Sequence, residues 1–135
     1  MASLFPLKII TPYGMFFEEE VSIVTTKTPK GYLGILKDHI PLIANIEISM
    51  LSLTDAKNNK FKYAIGGGLL FVESTGTTII TDSIIDVQNI NLEKEERERK
   101  ETEILIQTTK DEYDLQKIKA SLQRTLNNIS SAKGK

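Results

Sequence analysis

Three consecutive glycines separate two apolar runs in the stretch Lys62-Tyr63-Ala64-Ile65-Gly66-Gly67-Gly68-Leu69-Leu70-Phe71-Val72-Glu73. Aromatic and aliphatic residues of this kind favour β-strands. Glycine has no Cβ, so the triplet permits a bend, a bulge or the close approach of another backbone segment. We therefore predict one long strand that bends at Gly66–Gly68 and runs through the middle of a sheet.

The same glycines permit a second interpretation, a phosphate-binding loop. Such a loop needs a lysine and a hydroxyl side chain after its glycines, followed by a helix whose N-terminal amides face the phosphate. Here Leu69-Leu70-Phe71-Val72 follows, which is a strand-forming sequence. The pattern therefore favours the strand over the phosphate loop.

The composition changes sharply near residue 90. All four prolines, all five phenylalanines and every glycine except Gly134 precede that point, whereas residues 91–133 contain neither glycine nor proline. This predicts an α+β chain, with an N-terminal antiparallel β-sandwich or flattened barrel of 8–10 short strands over residues 1–90. A C-terminal two-helix antiparallel hairpin is predicted over residues 91–135. Within the β-domain, the alternation changes phase between Ile48 and Leu51, so we place a bulge near Met50.

The first predicted helix is almost wholly charged. Asn91 is a suitable N-cap, and residues 93–103 are nearly all acidic or basic. Three pairs at i,i+4 spacing place the acid first, the more favourable order. These pairs are Glu93–Arg97, Glu95–Arg99 and Glu96–Lys100. The helix is therefore expected to be a solvated one, with few side chains available for a core.

The second predicted helix begins at a capping box, Thr109-Lys110-Asp111-Glu112. Its apolar residues form a narrow stripe on one face. The stripe consists of Leu115, Ile118, Leu122, Leu126 and Ile129. The interface between the two helices should be thin, so we expect the hairpin to dock elsewhere or to move.

The composition argues against several classes of protein. The formal net charge is −1, which gives no general attraction to nucleic acid or to an anionic membrane. There is no cysteine, and His39 is the only histidine. A catalytic triad or a multi-histidine metal site is therefore not expected, and neither is a hydrolase. No signal peptide and no transmembrane helix are expected from the apolar pattern.

Two motifs, in this order, point to a known family. The first is Gly31-Tyr32-Leu33-Gly34-Ile35-Leu36-Lys37-Asp38-His39-Ile40-Pro41-Leu42, and the second is Gly67-Gly68-Leu69-Leu70-Phe71-Val72. An earlier stretch, Ile10-Thr11-Pro12 to Glu18, fits as well. Together they resemble the epsilon subunit of bacterial F-type ATP synthase, over the whole chain.

The resemblance implies a non-catalytic subunit of the central stalk, or rotor. Such a subunit couples catalytic F1 to the proton-translocating ring and inhibits ATP hydrolysis through a movable C-terminal hairpin. The implied partners are the gamma subunit, the c-ring and the alpha/beta hexamer, with no nucleic acid. Contact with the membrane would be made only through the complex, at the cytoplasmic face of the bacterial cell membrane. The alternative is a structural adaptor of a rotary F1-like ATPase that has no regulatory or proton-coupling role.

The resemblance also implies roles for particular residues. A loop facing the c-ring and gamma would contain Gly31, Tyr32, Leu33, Gly34, Asp38, His39 and Pro41. Packing of the core and of gamma would involve Gly66, Gly67 and Gly68. Contacts from the hairpin to the catalytic subunits would involve Lys110, Lys117, Lys119 and Arg124. Many relatives have glutamate where this chain has Tyr32, which favours an aromatic contact over a polar one.

No cofactor is expected, although some relatives bind ATP on the hairpin. The equivalent positions here would be Ile90, Asn91, Lys94 and Arg124. Asn91 and Lys94 replace aspartate and arginine of that motif, and Glu95 replaces alanine. Asn128 stands where a further arginine would be. Lysine lacks the two-pronged guanidinium, and Glu95 would repel phosphate, so ATP binding should be weak or absent.

Overall fold

The chain forms two compact units in a computed structural model that describes residues 3–108 and 112–133. The first unit is Met1–Ile85 and the second is Asp86–Lys135. The composition change at residue 90 therefore falls inside the second unit, just after its first helical turn, Val87–Asn89.

The first unit is a β-domain whose described part has seven strands. They are β1 (Phe5–Thr11), β2 (Gly14–Thr28), β3 (Gly31–Ile35), β4 (Leu42–Asp55), β5 (Lys60–Glu73), β6 (Gly76–Ile80) and β7 (Ile84–Asp86). Five of them form a closed ring in the order β1-β6-β5-β4-β2, because β2 also pairs with β1. β3 extends the sheet beside β2, and β7 pairs with β5. The predicted sandwich or flattened barrel is confirmed.

Two details of the predicted sheet were wrong. The strands are fewer and longer than the 8–10 expected, because β2 runs unbroken through Glu18-Glu19-Glu20, which stay exposed on it. The sheet is also not wholly antiparallel, since β1 and β6 run parallel. Alternating directions around a ring with an odd number of strands leave one neighbouring pair pointing the same way. Five strands therefore require one parallel pair.

β4 and β5 change their inward face together, halfway along their length. Before the change β4 turns Ile46 inward, and after it Ser49 and Leu51 are the buried residues. Their register stays constant from Leu42↔Val72 to Thr54↔Lys60, so the bulge predicted near Met50 was wrong. The change lies instead at Glu47, opposite the glycine triplet.

The glycine triplet lets a neighbouring backbone segment approach β5 very closely. A Cβ on Gly68 would overlap the carbonyl oxygen of Ile80, and Gly67 has a φ of +90°. The approaching segment is held by a hydrogen bond that the Gly66 amide donates to the Ser83 carbonyl at 2.7 Å. Thr81 Oγ1 donates to the Gly67 carbonyl at 2.5 Å. The predicted bend within one continuous strand is confirmed.

The second unit contains two helices, α1 (Leu92–Thr108) and α2 (Glu112–Lys133). Asn91 caps α1 as predicted, because its Oδ1 accepts from the Lys94 amide at 3.2 Å. The start of α1 contacts the end of α2, with Lys133 Nζ 3.9 Å from Glu96 Oε1. The helices are therefore antiparallel, as predicted. The predicted capping box at 109–111 lies outside the described residues.

The charged side chains of α1 pair differently from the prediction. Arg99 contacts Glu96 at 3.3 Å and Glu103 at 3.9 Å, and not Glu95. Lys94 lies 4.0 Å from Glu98. Few apolar side chains support these helices, since Ile104, Leu105 and Leu126 all remain exposed. The thin interface expected for the hairpin is present.

We expect Gly68→Ala to lower the free energy of unfolding of the β-domain by about 2–4 kcal/mol, because the added methyl group displaces the backbone at Ile80. Gly34→Ala is the matched control, since its Cβ would lie 3.5 Å from Ile23 Cδ1, an ordinary contact. The control should change stability by less than about 1 kcal/mol. Urea unfolding followed by near-ultraviolet circular dichroism measures both, and equal losses would contradict the close approach.

Candidate functional site

An exposed apolar strip crosses the outer face of the β-domain. It consists of Ile43, Leu69, Phe71 and Ile80, and we call it the outer strip. Pairing places Ile43 opposite Phe71, and Leu69 opposite Ile80, so all four side chains share one face. Ile43 is 72% exposed, whereas Leu69 and Ile80 are about 40% exposed. A continuous apolar strip across three strands is typical of a surface that another protein covers.

The outer strip was missed in the sequence because strands buried on one face normally alternate apolar with polar residues. Here Leu69-Leu70-Phe71-Val72 is apolar on both faces. Leu70 and Val72 are buried and account for the core, whereas Leu69 and Phe71 point outward. An unbroken apolar run in a strand with one solvated face is the signal that could have identified this surface.

The predicted ring-facing loop forms β3 and the turn that follows it. Tyr32 is 62% exposed, and Leu36 and Ile40 are exposed as well. Lys27 Nζ lies 6.0 Å from the centre of the Tyr32 ring. The structure therefore places three large apolar side chains at the surface of one short segment. Of the other predicted residues, Gly34, Asp38 and Pro41 are exposed, and Gly31, Leu33 and His39 are partly buried.

His39 has a structural environment in this turn. Its amide donates to the Leu36 carbonyl at 3.2 Å, closing a turn in which Asp38 has a φ of +65°. Its ring Nδ1 lies 2.7 Å from the Ile40 carbonyl. A carbonyl only accepts hydrogen bonds, so this contact requires the proton on Nδ1. These bonds fix the shape of the loop.

The predicted glycines, Gly66–Gly68, belong to the core of the sheet. The Gly66 amide and the Gly67 carbonyl bond within the domain, to Ser83 and Thr81. β5 also continues as a strand beyond the triplet, through Leu69 to Glu73. The local geometry is therefore that of a strand bend, and the segment lacks the helix that a phosphate loop requires.

The predicted cations of the hairpin are spread around α2. Lys117 and Arg124 are seven residues apart and lie within about 20° of each other on one face. Lys119 lies about 160° away from Lys117. Lys117 and Lys119 are exposed, and Arg124 is partly buried. Lys110 lies outside the described residues, so the structure places three of the four predicted cations, and two of them share a face.

Three of the four residues considered for ATP binding are already buried or bonded within the second unit. Ile90 is buried, and the Asn91 side chain caps α1. Lys94 contacts Glu98 at 4.0 Å. Glu95 is buried beside them, and burial raises the pKa of its carboxyl. The geometry therefore adds a carboxyl group with restricted solvation to the place where phosphates would have to bind.

Within residues 3–108 and 112–133, no group of three or more acidic, histidine or cysteine side chains is arranged to hold a metal ion. In the same ranges, no helix is long and apolar enough to cross a membrane. The prominent features of the described surface are thus the two exposed apolar groups on the β-domain and the charged hairpin.

Comparison with known proteins identifies the family. Residues 4–87 match the family described as ATP synthase, Delta/Epsilon chain, beta-sandwich domain. The ATP synthase epsilon chain of Mycoplasma mobile is 39% identical over 134 residues, covering 92% of this chain and 93% of that relative. The epsilon chain of Mycoplasmopsis pulmonis is 38% identical over 125 residues, covering 91% and 89%.

The fold is also found in a solved structure. A chain in the cryo-EM structure of the Euglena gracilis mitochondrial ATP synthase, OSCP/F1/c-ring in rotational state 1, superposes with a TM-score of 0.80. It is 20% identical in sequence, and the match covers 97% of this chain and 82% of that chain. The family match spans the β-domain, and the relatives match across both units. The chain therefore belongs to the family of ATP synthase epsilon chains.

Proposed function

We propose that this protein is a non-catalytic subunit of the central stalk of an F-type ATP synthase. It couples catalytic F1 to the proton-translocating ring, and its movable C-terminal hairpin inhibits ATP hydrolysis. The observation that carries the proposal is that relatives named ATP synthase epsilon chain match both the β-domain and the hairpin. The subunit lies at the cytoplasmic face of the cell membrane and contacts the membrane only through the complex.

The outer strip is the proposed docking surface for the gamma subunit. Ile43, Leu69, Phe71 and Ile80 offer an apolar face that extends over three neighbouring strands. Burying large apolar side chains is the main favourable term in stable protein association. The core beneath the strip is closed, with Leu70 and Ile79 fully buried, so the strip is held on a rigid sheet.

The loop around Tyr32 is the proposed contact with the c-ring. Tyr32, Leu36 and Ile40 supply apolar area, and the bonds of His39 hold the turn in one shape. The exposed tyrosine at this position is equally compatible with a second candidate, a structural adaptor of a rotary F1-like ATPase without a regulatory or proton-coupling role. The two candidates differ in whether the hairpin affects turnover.

The hairpin is the element proposed to inhibit ATP hydrolysis. Lys117 and Arg124 share one face of α2, where they can meet an acidic segment of the catalytic hexamer. Lys110 and Lys119 are further candidates for this contact. The small number of buried apolar residues between α1 and α2 supports movement, because separating the helices exposes little apolar surface.

We expect the full chain to bind the catalytic hexamer with gamma and to slow ATP hydrolysis, whereas residues 1–90 should bind without slowing it. The physical reason is that the β-domain carries the docking surface and the hairpin carries the cations. Steady-state hydrolysis and a binding assay on the same samples measure this. If both chains bind and neither slows turnover, the hairpin does not inhibit hydrolysis and the chain is a coupling or assembly subunit only. If neither binds, the stalk assignment is wrong.

We expect Ile43→Asp to weaken binding to the hexamer with gamma by about thirtyfold, which corresponds to about 2 kcal/mol for burying a charge in place of an apolar side chain. Ile43 is mostly exposed, so the substitution should leave the domain folded. Ala56→Asp is the matched control, because Ala56 is exposed in the turn between β4 and β5. Equal affinity of the two variants would exclude the outer strip as the docking surface.

We expect no saturable ATP binding by the isolated chain at submillimolar concentration in isothermal titration calorimetry. The Asn91 side chain is already used as the cap of α1, and the Glu95 carboxyl group lies where the phosphates of ATP would have to bind. Glu95→Gln removes the charge and keeps the size of the side chain. If this variant binds ATP, the Glu95 charge prevents binding in the natural chain; if it does not, the Asn91 cap is the cause. Saturable binding by the natural chain would overturn this proposal.

A further inference from the structure

Glu95 is the one carboxyl group of α1 that is buried, with 8% of its surface exposed. Its Oε1 accepts a hydrogen bond from Asn128 Nδ2 of α2 at 3.3 Å. The two residues belong to different helices and are far apart in sequence, so this bond exists only while the helices are packed together. The burial and hydrogen bonding of Glu95 therefore depend on the contact between α1 and α2.

The other carboxylate oxygen, Oε2, is buried and has no hydrogen-bond partner within the described part of the chain. An ionised carboxylate needs several donors to replace the water it loses, and here one neutral amide is present. A protonated carboxyl group loses much less solvation on burial. The packed hairpin therefore discriminates between the two protonation states of Glu95.

The charged groups around Glu95 do not compensate for this burial. On α1 itself, Lys94 lowers and Glu98 raises the pKa of Glu95, and Arg99, one turn further along, is paired with Glu96 and Glu103. From α2, the group presented to Glu95 is the uncharged amide of Asn128, and Lys133 is paired with Glu96.

Two further segments of the second unit could place a charge near Glu95. Arg124 lies one turn before Asn128 on α2 and makes no ion pair within the described residues. The turn Val87–Asn89, which contacts α2, contains no ionisable side chain, and the Asp86 carboxylate at its start accepts from the Gln88 amide.

The sign of the effect follows from the direction of the shift. Burial raises the pKa of Glu95 in the packed hairpin above the ordinary value that it takes when the helices separate and water reaches it. The packed form therefore holds the proton more tightly. Packing is most stable below the ordinary pKa, weakens as the pH rises, and reaches its lower level above the raised pKa.

We propose that Glu95 and Asn128 form a proton-operated clamp, which holds α1 against α2 when Glu95 is protonated and releases them more readily when it is ionised. The clamp goes beyond the proposed function, because it acts within the second unit and requires no partner. It makes acidification a signal for closing the hairpin.

The test uses the full chain with two spin labels. The protein has no cysteine, so Lys100→Cys and Ser121→Cys give two unique labelling positions, both exposed. Pulsed electron paramagnetic resonance then gives the ratio of separated to packed helices from about pH 4 to about pH 8. We expect this ratio to rise by about tenfold per pH unit between the two pKa values of Glu95, and to level off outside them.

Three further substitutions distinguish a clamp from an ordinary packing contact. Glu95→Gln should make the ratio independent of pH and keep the helices packed. Glu101→Gln is the matched control, because Glu101 is an exposed acid on the same helix, and it should follow the natural chain. Asn128→Asp should move the change to higher pH, because two adjacent carboxyl groups hold one proton more tightly.

A ratio that does not vary with pH in the natural chain would overturn the clamp. The same conclusion would follow if Glu95→Gln kept the pH dependence of the natural chain. If Asn128→Asp lowered packing equally at every pH, the contact would be structural only. Since these measurements need only the isolated chain, their failure would leave the stalk assignment unaffected.

Discussion

The close approach of the Ile80–Ser83 segment to Gly66–Gly68 is the constraint on which the β-domain depends. Because no side chain stands between them, the end of β6 can continue alongside β5 and bond to it through Ser83 and Thr81. The same point is where β4 and β5 exchange their inward faces. A long strand pair can thus contribute to both ends of one core while Leu69 and Phe71 turn to the surface. The outer strip is a consequence of that geometry.

The hairpin is built on a different principle from the β-domain. The β-domain has a contiguous apolar core, in which Leu7, Ile9, Leu51 and Ile65 are fully buried. In the second unit, the buried residues include Glu95, Thr125 and Ser131 beside Val87, Ile90 and Ile129. Polar groups contribute little net stability when buried, so this helix pair is held by a small margin. Because the free-energy difference between packed and separated helices is small, binding of a partner or of a proton can change which form predominates.

The sequence was sufficient for features set by local chemistry. The bend at the glycine triplet, the Asn91 cap and the change from strands to helices near residue 90 all depend on neighbouring residues. The sequence was insufficient for features that depend on contacts between residues far apart in the chain. Glu95 was expected to pair with Arg99 on the helix surface, but Asn128 buries it from α2. The parallel pairing of β1 with β6 likewise depends on ring closure, which no local pattern encodes.

That ring closure also determines when the domain can fold during synthesis. β1 pairs with β6 from Leu7↔Thr77 to Ile10↔Ile80. The barrel therefore cannot close until β6 has been synthesised. Pairings this distant in sequence fold slowly, whereas two adjacent helices form quickly. The ribosome must therefore release nearly the whole β-domain before the ring of strands can close. Until β6 is available, the edges of β1 and β5 that it joins are open to pairing with other chains.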